Sequence, residues 1–118
     1  MKSVYKFEKI YLHRHPVDGR KWIRGLSTII ESEMNLDAFG KALFGFINKK
    51  RTTIKLVYWD RSGFALWMKQ LEEEKFKWPM KSDSETMIIT SNELSWLLDG
   101  IDILKMNPHA TLKYQSIS

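Results

Sequence analysis

The chain contains no cysteine, which excludes disulfide bonds and thiolate metal sites and fits a reducing compartment. Proline and glycine are scarce, three and six in 118 residues. No Pro- or Gly-rich stretch marks a linker, and no internal repeat or low-complexity tract appears, so residues 1–118 read as a single domain. Long hydrophobic runs are missing too. Nothing approaches the roughly 20 apolar residues of a membrane helix, and the charged first eight residues lack the apolar stretch of a signal peptide. The expectation is a soluble cytoplasmic domain with no membrane contact, long enough to bury a core without metals or cross-links.

Charge is present, and it is uneven. The net +5 divides into 17 basic and nine acidic residues over 1–81, a balance of +8, and two basic and five acidic over 82–118, a balance of −3. Such asymmetry suits an anionic partner, of which nucleic acid is the usual one. A solvated basic surface with no partner is the alternative reading.

Hydrophobic spacing gives the elements. A first strand is expected over 5–12, followed by the loop His13-Arg14-His15-Pro16, with Asp18 as a helix N-cap. Trp22, Ile23, Leu26, Ile29 and Ile30 form the apolar stripe of a helix over 20–34. Short apolar strands are expected over 43–47, 54–59 and 64–71, and a further one over 76–78, stopped by Pro79. Thr90-Ser91-Asn92-Glu93 fits a capping box opening a helix over 91–99, which Gly100 ends. Residues 111–116 read as an edge strand or a tail. Together these predict an α+β fold, an antiparallel meander of four to five strands with two helices packed on one face.

Enzymatic readings find little support. His13 and His15 flank Arg14, a cation that opposes metal binding, and no third ligand is in view, whereas zinc takes three or four. They read as surface loop residues, as does His109. Asp60 suits a turn, and Glu72-Glu73-Glu74 run consecutively, so they cannot all converge on one face. No nucleophile context or phosphate loop is present. No catalytic residue, metal site or cofactor is therefore assigned. A metal-dependent single-strand nuclease built on His13 and His15 is the remote alternative.

A binding surface has more physical content. If Arg61-Ser62-Gly63 is a three-residue hairpin loop, with glycine at its left-handed position, Asp60 pairs with Phe64. Counting back then sets Trp59 opposite Ala65, Val57 opposite Trp67 and Lys55 opposite Lys69. One face of the hairpin becomes basic and aromatic. Facing lysines cost a few tenths to about 1 kcal/mol unless an anion lies between them. Trp59 and Trp67 would offer stacking surfaces, worth about 1–3 kcal/mol per base in single-strand binders. Lys49, Lys50 and Arg51 in the preceding turn, with Arg61 in the hairpin loop, would add phosphate contacts. The alternative is that both indoles are packed under a helix while the lysines snorkel outward. Trp96 falls opposite the Leu94, Leu97, Leu98 and Ile101 stripe, where another element or a protein partner would cover it.

Several of these stretches carry a resemblance. Ala42-Leu43-Phe44-Gly45-Phe46-Ile47-Asn48-Lys49-Lys50-Arg51, then Lys55-Leu56-Val57-Tyr58-Trp59-Asp60 and Gly63-Phe64-Ala65-Leu66-Trp67, closely resemble the TnpB accessory family of insertion-sequence 66 elements. Asp18 with Arg20-Lys21 and Gly25-Leu26 also match in order, as do Phe76-Lys77-Trp78-Pro79 and Leu94-Ser95-Trp96-Leu97-Leu98-Asp99-Gly100. The resemblance spans about residues 10–104, leaving 105–118 as a tail. Many relatives have an arginine-rich turn after the Asn48 position, where this chain has two lysines and one arginine, which keeps the charge but weakens bidentate contacts. The resemblance implies a non-catalytic protein needed for movement of the element, with the transposase and the element's DNA ends as expected partners and homo-oligomers allowed. A module that recruits the transposase without touching DNA is the second reading. The family has no assigned catalytic residues, and it is distinct from the RNA-guided nuclease also called TnpB.

Overall fold

The computed structural model describes residues 6–80 and 84–106, with the backbone of 113–114. The elements run β1 (Lys9–His13), α1 (Ile23–Ser32), β2 (Ala42–Ile47), β3 (Thr53–Asp60), β4 (Gly63–Gln70), β5 (Thr86–Ile89), α2 (Ser91–Leu98), α3 (Ile103–Met106) and β6 (Lys113–Tyr114). The α+β class holds. His109 and most of the expected 111–116 strand lie outside the described residues.

One sheet takes the order β4-β3-β2-β1-β5-β6. It is mixed, which corrects the expected meander: β1 and β2 pair in parallel, with Ile10 beside Leu43 and Leu12 beside Gly45. The other pairings are antiparallel. A parallel pair needs a crossover of a dozen residues or more, and residues 14–41, which include α1, supply it. β5 was not anticipated. The expected strand over 76–78 is an irregular segment outside the sheet instead, fastened where the Phe76 N–H donates to the Arg51 carbonyl at 2.8 Å.

The two helices expected on one face cover opposite faces. Leu26, Ile29 and Ile30 of α1 pack on Tyr11, Phe44, Phe46 and Val57. Leu94 and Leu97 of α2 and Ile103 of α3 join Leu12, Leu43, Leu56 and Met87 on the other side. β2 is therefore buried at every position, which is why Ala-Leu-Phe-Gly-Phe-Ile reads as continuous apolar chain rather than alternating.

α1 starts later than position 20 because Asp18 is occupied elsewhere. Its carboxylate accepts from the Arg20 backbone N–H at 2.9 Å and from the Arg20 guanidinium at 3.1 and 2.8 Å. Residues 18–22 stay outside the helix, and Trp22 is the N-cap with no side-chain bond. α2 begins as expected: Thr90 Oγ1 accepts from the Glu93 N–H while Glu93 Oε1 accepts from the Thr90 N–H.

The β3–β4 hairpin closes through Arg61 and Ser62 alone, pairing Asp60 with Gly63. Arg61, not Gly63, takes the left-handed conformation, at φ 55°. This is a one-residue slip from the expected register, and a one-residue slip exchanges the two faces of a strand. Lys55 lies opposite Met68, Leu56 opposite Trp67, and Ile54 opposite Lys69.

Candidate functional site

Strand directions gather one rim of the sheet. Parallel β1 and β2 both end there, antiparallel β3 and β5 both start there, and β4 ends there. On this rim stands the β2–β3 turn, built around Asn48. The Asn48 Oδ1 accepts from the N–H groups of Thr52 and Thr53 at 2.9 and 3.0 Å, and its Nδ2 donates to Thr52 Oγ1 at 3.1 Å. That scaffold holds Arg51 at φ 62° and leaves Lys49, Lys50 and Arg51 exposed. Arg51 also lines a groove of about 350 Å³ with Lys75, Phe76, Lys77, Trp78, Met80, Asp102 and Leu104. Lys75 and Lys77 are exposed, while Phe76 between them and Trp78 after them are buried. Arg51, Lys75 and Lys77 thus line one groove, with Asp102 the carboxylate among its lining residues, and Lys49 and Lys50 precede Arg51 in the turn. Lys75 and Lys77 were missed in the sequence, although the alternation Lys-Phe-Lys-Trp is itself the signal that would have found them.

The hairpin residues are dispersed, which corrects the single basic and aromatic face. Lys55 is buried on the α1 side, 6 % exposed. Its Nζ donates to the Gly19 and Lys21 carbonyls at 2.7 and 2.6 Å and sits 5.1 Å from the centre of the Trp22 ring. Burial lowers its pKa from the ordinary lysine value, with the charge of Asp18 acting the other way. Lys69 and Trp67 point to the opposite side, where Lys69 Nζ donates to the Leu98 carbonyl at 2.9 Å at the end of α2 and Trp67 packs half-buried on the core. Trp59 remains on the α1 side, half-buried, edge-on to Phe39 and Phe64 at 4.9 and 5.0 Å. Arg61 is exposed at the opposite end of the sheet. The register places these groups apart, and the two lysines serve backbone carbonyls. Trp96 is half-buried against the core below α2. The more exposed aromatics are Trp22 at 54 % and Phe39 at 53 %.

The histidines also stand differently from expectation. His13 ends β1 rather than lying in a loop, and it is 2 % exposed. It follows Tyr11 by two residues and so faces α1. The end of α1 brings Glu33, whose Oε1 lies 3.2 Å from His13 Nε2, and the entry to β5 brings Glu85, whose Oε2 lies 3.8 Å away. The second histidine, His15, is half-exposed with Nε2 3.6 Å from Glu85 Oε1. His13, Glu33 and Glu85 form the group, among the described residues, whose donor atoms fall within 4.8 Å of one another. Sequence reasoning lacked this third ligand because 20 residues separate Glu33 from His13 and only the crossover joins them.

Residues 8–108 match the protein family described as IS66 Orf2 like protein. Two proteins of Sinorhizobium fredii (strain NBRC 101917 / NGR234) are similar, both uncharacterised. One, y4jC, is 32 % identical over 94 residues, covering 80 % of each chain. The other, y4hO, is 26 % identical over 94 residues, covering 80 % of this chain and 81 % of its own. No solved structure matches the chain. No helix among the described residues is long and apolar enough to cross a membrane.

Proposed function

Because the chain belongs to the IS66 Orf2-like protein family, we propose that it is a non-catalytic accessory protein of insertion-sequence transposition that binds the DNA backbone with the rim formed by Lys49, Lys50, Arg51, Lys75 and Lys77. The observation that supports this reading is that exposed Arg51, Lys75 and Lys77 line one groove, with exposed Lys49 and Lys50 preceding Arg51 in the same turn. Cations on a turn and a groove wall neutralise phosphates without reading bases, so affinity is electrostatic and falls with salt. Within the transposition complex such a protein would position the element's ends for the transposase rather than choose the sequence.

The test is DNA binding by the full chain across a salt series, comparing wild type with Lys49→Ala/Lys50→Ala/Lys77→Ala. The expected result is at least a tenfold loss at low salt, with the slope of log affinity against log salt reduced by about one for each phosphate no longer neutralised. Salt-independent binding, or a triple variant that binds like wild type, overturns the reading. A second reading, docking on the transposase, draws on the exposed Trp22 and Phe39, since aromatic side chains are enriched at interface cores. Co-purification that survives nuclease and is lost in Trp22→Ala/Phe39→Ala distinguishes it.

A further inference from the structure

We propose that His13, Glu33 and Glu85 form a binding site for a divalent first-row transition ion of the zinc or manganese type. One imidazole nitrogen and two carboxylate oxygens suit such ions, whereas calcium takes six or more oxygens and magnesium keeps most of its water.

The distances are close to those of a ligand set. Bonds of about 2.0–2.2 Å to a tetrahedral ion put its ligand atoms about 3.3–3.6 Å apart. His13 Nε2 is already 3.2 Å from Glu33 Oε1 and 3.8 Å from Glu85 Oε2. The remaining separation, within 4.8 Å, closes by rotation of carboxylates that are each about half exposed. Their exposure leaves a solvent side for water or for His15 as a fourth ligand.

A second observation is independent of proximity. His13 Nδ1 lies 2.8 Å from the backbone carbonyl of His15. A carbonyl only accepts, so Nδ1 carries the hydrogen, and the lone pair of the neutral ring is on Nε2, aimed at the carboxylates. This is the arrangement of metal-binding histidines, in which the far nitrogen donates to a carbonyl and fixes the tautomer. Two carboxylate oxygens and a nitrogen lone pair repel one another unless a cation stands among them. A single proton on Nε2 would answer one carboxylate, whereas a divalent ion answers both. The local field adds to the demand, because Glu33 caps the C-terminal, negative end of α1 and no basic residue occupies its last turn.

The ring is also held rigidly. It packs 5.7 Å from the Phe46 ring, and the His13 carbonyl accepts from the buried Trp78 indole at 3.1 Å. An ion here would staple the ends of β1 and α1 to the entry of β5, on the same rim as the basic turn. Its ligands are separate from the five cations of that rim, so ion binding stands or falls apart from DNA binding.

The experiment titrates the chelator-treated full chain with Zn²⁺, Mn²⁺, Mg²⁺ and Ca²⁺ by calorimetry, with thermal melts and with Co²⁺ absorption to report nitrogen ligation. Zn²⁺ or Mn²⁺ is expected to bind one to one and, at about 100 times its dissociation constant, to raise the melting temperature by about 5 °C or more. Glu33→Gln and Glu85→Gln should each weaken binding at least tenfold, and His13→Gln should abolish it and the Co²⁺ band. Because His13 is buried, the glutamate variants decide the matter if the histidine variant does not fold. No saturable binding overturns the proposal, as does binding that both glutamine variants retain, since the ion would then lie elsewhere.

Discussion

The indole N–H of Trp78 donates to the carbonyl of His13 at 3.1 Å, a buried bond between residues 65 apart in sequence. Beside it, Gly45 of β2 makes room for Leu12. A Cβ there would lie 2.7 Å from Leu12 Cδ2, too close for two carbons, and at an ordinary contact distance of 3.6 Å from Trp78 Cη2. The Trp-Pro stretch late in the chain and the Phe-Gly-Phe stretch in its middle are thus parts of one packing unit, whose product is a fixed end to β1. Sequence motifs that look unrelated become one structural requirement.

Trp78→Phe keeps an aromatic ring and removes only the donor. An unpaired buried carbonyl costs about 1–3 kcal/mol, so the urea midpoint should fall correspondingly with an unchanged slope. Trp96→Phe, at a half-buried position, should move it much less. Equal midpoints for wild type and Trp78→Phe would show that the bond carries no weight.

Asn48→Ala should destabilise by a similar amount, about 1–3 kcal/mol, because it leaves the N–H groups of Thr52 and Thr53 without their shared acceptor. Asn48→Asp keeps that acceptor and loses the donor to Thr52, so it should fall between the two. Melting curves of the three proteins check the order. If alanine and aspartate are equivalent, the turn does not depend on the amide oxygen.

Arg61→Gly should stabilise the hairpin. A left-handed backbone costs a side-chain-bearing residue roughly 1–2 kcal/mol, and the greater freedom of glycine when unfolded takes back about 0.5–1 kcal/mol. The net gain is up to about 1.5 kcal/mol, read as a rise in melting temperature. A fall would mean that the arginine side chain contributes more than its backbone loses.

The Asp18–Arg20 pair predicts an acid-side effect. Hydrogen bonds from the Arg20 side chain hold the Asp18 carboxyl well below its ordinary value of 3.8. The folded state therefore binds this proton less readily than the unfolded state. Stability from the pair is present above 3.8 and is lost as pH falls below it. Wild type should melt slightly above Asp18→Asn near neutrality, the gap closing in acid, and the effect should be small because the Arg20 side chain is 92 % exposed. A gap that widens in acid reverses the sign and refutes the assignment.

Local chemistry was legible and distant pairing was not. The Thr90–Glu93 box could be read directly, since its partners are three residues apart. The β3–β4 hairpin was located correctly, but its register turned on which residue of Arg61-Ser62-Gly63 adopts positive φ. Glycine is the favoured choice, and the chain uses Arg61. That single choice moved Trp67 and Lys69 to the other side of the sheet. The cations of 49–51 were readable because a turn declares its own exposure. Glu33 and Glu85 were not, because nothing in their spacing reveals that β1 and β2 run parallel or that α1 ends beside His13.

With a helix over each broad side and β2 sealed within, the middle of the sheet has no surface to offer. The two ends of the strands differ in character: one bears lysines, arginine and imidazoles, the other bears Phe39, Trp59 and Phe64 beside the Arg61 bend. A molecule shaped this way can face two dissimilar neighbours at once without either obstructing the other.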